Sequence, residues 1–348
     1  MTTAAERIQA HLNKKFAGAI ADAPAPKAPP IEMPKPVAVV AAGEVAFSTV
    51  FGFTPKCGDF GVLVCKPEDF DPSMARFIPK VDTSYVVQQD ECVRMVAGIM
   101  DNDKTLITGP TGSGKSSLCK YVAAKLGRPF IRVNMTADIE SGNLFGQQTV
   151  EGGAIVWHDG PVTEAAKHGA ILLVDEWELM PSEVGMGMQN LLEDGGYLYL
   201  KEKPGSSDDR TVVPNNNFRL IYAGNTVGQG DITGKFAGAQ VQNSATIDRF
   251  TNTIRLDYLS EAHEVAFIQS RCGLDKGVAT NMVRLAAMIR AAYDEGKCGL
   301  TASPRLLINW GNKMKRYGNA EAFDAAFLAK LNDEDKAGVQ MLFNKVFG

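Results

Sequence analysis

The sequence predicts an α/β fold: a five-stranded parallel sheet between helices, with a C-terminal helical lid and an N-terminal proline-rich extension. Three observations predict it. Five short apolar runs, Thr105–Thr108, Phe130–Asn134, Ile171–Val174, Leu220–Ala223 and Thr253–Leu256, alternate with helical patterns. Short apolar runs between helices imply a parallel sheet buried on both faces. The first run leads into a glycine-rich turn ending in Gly-Lys-Ser, and beyond residue 260 only helical spacing is left, in Val278–Ala292 and Leu306–Met314.

The bulk properties bound the rest. A chain of 348 residues, 45% apolar and 22% charged, is long enough for two or three units around a sizeable core. The formal net charge of -4 lacks the strong basic field of most nucleic-acid binders. None of the six cysteines forms a C-x-x-C pair, and none of the four histidines has zinc-ligand spacing to such a pair. The expectation is free thiols in a reducing compartment. No signal-peptide core and no run of 18 apolar residues occurs, so a soluble cytoplasmic protein with no membrane span is expected.

Residues 1–20 carry Ile8, Leu12, Phe16 and Ile20 at every fourth position, the stripe of a short amphipathic helix or tail. Residues 21–44 form a Pro/Ala-rich linker, with six prolines between 21 and 36. Residues 45–80 are a strand-poor lead-in rich in phenylalanine, to which no fold of its own is assigned. The α/β core is expected over 81–259 and the helical lid over 260–348.

Gly109-Pro110-Thr111-Gly112-Ser113-Gly114-Lys115-Ser116 matches G-x-x-x-x-G-K-[ST], between a strand and a helix that runs from Ser116 to Leu126. Glycines let backbone N–H groups turn toward a phosphate, and the helix N-terminus, with Ser117 beside it, adds its positive end. Lys115 supplies a charge to the terminal phosphates, and Ser116 supplies a hydroxyl for Mg²⁺. The bound nucleotide is expected to be ATP with Mg²⁺. Roughly 60 residues on, Ile171-Leu172-Leu173-Val174 ends in Asp175-Glu176. In phosphate-loop enzymes an Asp here holds Mg²⁺ and the next Glu activates the attacking water.

Taken together, these residues resemble AAA+ ATPases of the MoxR branch, and within it the CobS-like small ATPase subunits of aerobic cobaltochelatase. The resemblance runs from about Phe77 to Leu259. Its most specific part is Ala223-Gly224-Asn225-Thr226-Val227-Gly228-Gln229-Gly230-Asp231-Ile232-Thr233-Gly234, followed by Thr246-Ile247-Asp248-Arg249-Phe250. The resemblance implies that Asn225 is sensor 1, near the γ-phosphate. It implies that Arg249 is an arginine finger reaching a neighbour's nucleotide, and that Arg305 of Ser303-Pro304-Arg305 is sensor 2. Asn143–His158, with a turn at Gly152-Gly153, resembles an insert facing a central pore, and Phe145 and Trp157 are candidates to touch a partner there. Gly160-Pro161-Val162 resembles a family signature, and Gly196–Pro214 resembles a hairpin with its tip at Pro204-Gly205-Ser206-Ser207.

The implied assembly is a homo-oligomeric ring, hexameric, working on a partner with a von Willebrand A domain. Cobalt insertion for cobalamin synthesis is the sharpest version. Two other readings stay open at this point: a nucleic-acid motor like the MCM helicases, and a slowly hydrolysing assembly scaffold. The segment Lys201–Arg210 balances Lys201, Lys203 and Arg210 against Glu202, Asp208 and Asp209, which argues against a DNA-tracking hairpin.

Overall fold

The computed structural model describes residues 41–228, 230, 238 and 240–348. The expected N-terminal helix, residues 21–40 of the expected linker, and Gln229 and Asp231–Gly234 of the most specific segment lie outside the described residues.

In chain order, β1 (Val45–Ala46), α1 (Phe47–Phe51) and β2 (Gly61–Val62) open the described chain, with β1 and β2 paired antiparallel. Then come α2 (Gln89–Met100), β3 (Thr105–Thr108), α3 (Lys115–Lys125) and β4 (Phe130–Asn134). A short α4 (Ser141–Phe145) leads into the hairpin β5 (Gly146–Glu151) and β6 (Ala154–Asp159), closed through Gly152 and Gly153 at positive φ. Next are α5 (Pro161–His168), β7 (Ile171–Asp175) and α6 (Ser182–Gln189). The second expected hairpin is a two-residue pair, β8 (Leu198–Tyr199) with β9 (Thr211–Val212), and a single helical turn α7 (Ser207–Arg210), capped by Ser206, fills its connection. The core closes with β10 (Arg219–Gly224), α8 (Ser244–Asp248) and β11 (Asn252–Arg255).

The central sheet has the order β11-β3-β10-β7-β4, all parallel. Alternation along its strands sorts the side chains onto two faces. Ile107, Leu173, Ile221 and Ile254 pack on α2 and α3, through Met95, Val96, Leu118 and Val122. Leu106, Ile131, Val133, Leu172, Val174, Leu220 and Tyr222 face the opposite way, onto Val162, Ala165 and Ala166 of α5 and Val184 and Met188 of α6. Helix α2 shows why it docks: Cys92, Met95, Val96 and Ile99, spaced three or four apart, are all buried.

The phenylalanine-rich lead-in completes the first of these faces. Phe47 stacks on Phe51 at 4.5 Å and meets Phe53 and Phe60 at 5.2 and 5.1 Å. Phe47 is fully buried, in the cluster that holds α2 and α3. Further along, Cys65, Phe70 and Met74 are buried in the cluster on the other face.

The C-terminal region is α9 (Glu261–Cys272), α10 (Lys276–Asp294), α11 (Pro304–Tyr317), α12 (Asn319–Ala326) and α13 (Asp333–Phe347). These helices share their own core, with Trp310 fully buried 4.7 Å from Phe323. Helix α11 starts where its residues dictate: the Ser303 hydroxyl accepts the Leu306 N–H, and Pro304 takes the first position. No described helix is long and apolar enough to cross a membrane.

Candidate functional site

Parallel strands gather their carboxyl ends at one edge, and that edge is where an open α/β sheet binds ligands. Here the register aligns Thr108 with Gly224 and Ala223 with Asp175. The glycine-rich loop, the acidic pair and Asn225 therefore emerge side by side from β3, β7 and β10. The loop needs its glycines. Gly109, Gly112 and Gly114 have φ of 148°, 77° and 99°, a region costly for side chains. A Cβ on Gly109 would lie 2.0 Å from the Leu256 carbonyl oxygen, so the backbone of β11's continuation closes against the loop.

A cavity of about 480 Å³ opens at this edge, between core and lid. Thr111 through Ser117, Asp175, Glu176, Asn225 and Arg305 all line it. Gly109 and Pro110 sit beneath, their carbonyls accepting the Lys115 ammonium at 2.7 and 3.2 Å. The same ammonium reaches the Asn225 side-chain oxygen at 2.9 Å, and the Asn225 amide donates to the Glu176 carboxylate at 3.0 Å. Asn225 thus bridges the loop lysine and the acidic strand. The Ser116 hydroxyl donates to Asp175 at 2.6 Å. Burial lowers the pKa of Lys115, against the pull of Glu176, Asp175 and Glu178, and Arg305 adds to the lowering. An arriving anion would oppose this lowering, because an opposite charge nearby favours the ammonium.

Whether a nucleotide with Mg²⁺ fits can be judged from the donor set. The loop presents its helix N-terminus and glycine-framed N–H groups, and the buried Ser113 hydroxyl has no hydrogen-bond partner. Ser116 and Asp175 bring a hydroxyl and a carboxylate together, the hard oxygen pair that suits Mg²⁺ alongside phosphates. The residues fit.

Arg249 is placed elsewhere. It follows α8, donates to the Glu193 carboxylate and to the Ala245 carbonyl at 2.7 Å, and lines a separate cavity of about 540 Å³. Phe145 and Trp157 line that second cavity too, but both are partly buried against the core.

Several residues at or near this cavity carried no motif. Arg132 pairs with Asp175 at 2.8 Å, and a charge inside the apolar run Phe130–Asn134 was the signal that could have found it. Tyr85, Phe267 and Ile308 supply apolar lining, and Arg271 of the lid meets Asp82 at 2.6 Å. Tyr258 donates its hydroxyl to the Thr111 carbonyl at 3.0 Å. Its ring lies 4.0 Å from the Arg290 guanidinium, which holds the buried Glu264 through two bonds and the Ala302 carbonyl through a third. Loop, Tyr258 and lid are joined in this way.

Residues 104–250 match the AAA domain (dynein-related subfamily), and residues 264–344 match the CbbQ/NirQ/NorQ C-terminal family. Aerobic cobaltochelatase subunit CobS of a Sinorhizobium species is 32% identical over 282 residues, 78% of this chain and 83% of that protein. The chain belongs to the MoxR branch of the AAA+ ATPases. Protein NorQ of Paracoccus denitrificans, 29% identical, aligns over 76% of this AAA+ chain and 94% of its own length. Protein CbbQ of Hydrogenophilus thermoluteolus, 26% identical, aligns over 77% and 98%. ATPase activity and nucleotide binding follow from this membership.

Proposed function

We propose that this AAA+ ATPase assembles as a homo-oligomeric ring, hexameric, that couples Mg-ATP hydrolysis to remodelling or operating a partner protein. The observation that carries the reading is the separation of its arginines. Lys115 and Arg305 line the nucleotide cavity, whereas Arg249 lies away from it, beside Glu193. An arginine that serves a neighbour's nucleotide requires a head-to-tail contact, and such contacts make a ring where the rotation closes and a filament where it does not.

Within one subunit the loop N–H groups and Lys115 hold the phosphates. Ser116 and Asp175 would hold Mg²⁺, which when bound supplies charge neutralisation at the phosphate oxygens. Glu176 takes the proton of the attacking water. Asn225, already bonded to both Lys115 and Glu176, keeps that carboxylate directed into the cavity. Arg305 neutralises charge in its own subunit, and Arg249 does so in the next.

The likeness to a cobaltochelatase subunit supports a complex with other subunits, and the MoxR resemblance supports a von Willebrand A-domain protein as the partner. Cobalt insertion is the sharpest form of that reading, with the metal chemistry on the partner. Six free cysteines fit a reducing, cytoplasmic setting.

Mixing variants tests the ring. Lys115→Ala loses ATP binding, and Arg249→Ala keeps binding but loses turnover by about 10³-fold. Mixed, the two restore measurable turnover, because some interfaces join an intact loop to an intact Arg249. No recovery on mixing, with rings seen by analytical ultracentrifugation, would refute the trans role. For the partner, Glu176→Gln loaded with ATP should retain a von Willebrand A-domain protein from its native cells. Retention of DNA or replication proteins instead would refute the partner assignment.

A further inference from the structure

We infer that Glu178 is a positioning residue for hydrolysis, acting through Asn225 on the Glu176 carboxylate; the inference rests on the reading of Glu176 as the base. Glu178 is 2% exposed, two residues beyond Glu176 and above the end of β7. One carboxylate oxygen accepts the Asn225 backbone N–H at 2.6 Å. The Asn225 side chain in turn spans Lys115 and Glu176 at 2.9 and 3.0 Å. The backbone of Asn225 is therefore held by one acid so that its amide can direct another.

The rest of the neighbourhood is shaped around this contact. Gly224 precedes Asn225, and a Cβ there would lie 2.2 Å from the second Glu178 oxygen and 2.6 Å from Trp177. Only glycine lets the strand end approach that closely. The second Glu178 oxygen and the Trp177 indole nitrogen are both buried without partners, and both lie within 2.7 Å of where a Cβ on this glycine would sit. A buried acid with an unsatisfied oxygen in such a place is costly to keep for packing alone. The Glu178 carbonyl also accepts the Gln240 N–H at 3.0 Å and the Gln242 side chain at 3.3 Å, and the Gln242 N–H returns to Gly228 at 2.8 Å. Glu178 thus pins both ends of the connection that starts at Asn225 and runs on toward α8 and Arg249.

The test compares Glu178→Ala, Glu178→Asp, Glu178→Gln and Glu176→Gln in the full chain, measuring steady-state ATP turnover and the Kd of a fluorescent ATP analogue. A group acting through Asn225 on the base shows in kcat and not in binding. Glu178→Ala should lower kcat at least tenfold and leave the Kd within threefold. Glu178→Asp, which draws the acceptor back by one methylene, should lose nearly as much. Glu178→Gln keeps an acceptor for the Asn225 N–H and should recover at least half of the wild-type kcat. If Glu178→Ala does not fold, Glu178→Asp decides, and a wild-type kcat there overturns the inference. Glu178→Gln as inactive as Glu178→Ala, or Kd rising in step with the fall in kcat, overturns it as well. Glu176→Gln is the reference. Its hydrolysing at the wild-type rate would overturn the reading of the base and this inference together, whereas an inactive Glu176→Gln beside a fully active Glu178→Ala overturns the inference alone.

Discussion

Arg290→Met removes the cation that ties the lid to itself and to the phosphate loop. Its guanidinium donates to both oxygens of Glu264, at 2.8 and 2.6 Å, and to the Ala302 carbonyl at 2.7 Å, while covering the Tyr258 ring. The Glu264 side chain is 1% exposed and that of Arg290 14%, so water screens the pair little. Breaking such a pair from one side costs about 3–5 kcal/mol, because the remaining charge stays buried alone. At about 1.4 kcal/mol per decade, opening of the lid becomes roughly 10²- to 10⁴-fold more frequent. Native-state hydrogen exchange reads this directly. Amides of α10 and α11 should exchange faster by that factor, while those of β7 and β10 change little. The double variant Glu264→Leu/Arg290→Met should regain most of the protection, since an apolar pair replaces an ion pair at little net cost. Acceleration below tenfold in the lid, or equal acceleration in the sheet, would refute the reasoning.

Two further outcomes are expected. Gly112→Ala places a Cβ 2.7 Å from that of Ser303, at a φ of 77°, so loop and lid must part; ATP affinity should fall roughly tenfold, and unchanged affinity in a fluorescent-ATP titration would count against the loop geometry. Burial raises the Glu178 carboxyl above its ordinary 4.5, opposed by the Asn225 N–H. The folded chain therefore keeps a proton that the unfolded chain releases, and the stability this contributes is complete below pH 4.5 and lost as pH rises through the raised value. Glu178→Gln lacks that loss, so in urea unfolding its stability relative to wild type should grow from pH 4.5 toward neutrality; a pH-independent difference would contradict the burial.

Much of the sheet was legible because its information is local. Thr105–Thr108 and Phe130–Asn134 are strands over the expected residues, and β7 extends one residue further to include Asp175. The G-x-x-x-x-G-K-S loop was legible because its backbone demands glycine and its chemistry demands Lys-Ser. Arg132, Tyr258 and Glu178 were not, since each acts through a partner distant in sequence: Asp175, Thr111 and Asn225. An acidic residue beside an acidic pair, as in Asp175-Glu176-Trp177-Glu178, has no periodicity to mark it as buried. The lead-in failed for a related reason. Its strands are two residues long and its order comes from ring contacts onto helices that begin decades of residues later.

That lead-in separates what is inherited as a recognisable unit from what folds as one. The family match begins at residue 104, yet the surface against which α2 and α3 rest is finished by Phe47, Phe51 and Val62. A chain trimmed to begin at residue 81 would keep every residue proposed to hold phosphate and still lose Phe47, Phe51 and Val62 from the cluster around α2 and α3, leaving the Tyr121 ring without Phe51. Such a fragment should cling to itself and fall out of solution before its chemistry could be assayed. The shortest useful version of this ATPase therefore starts upstream of Val45, well before residue 104, where the AAA-domain match begins.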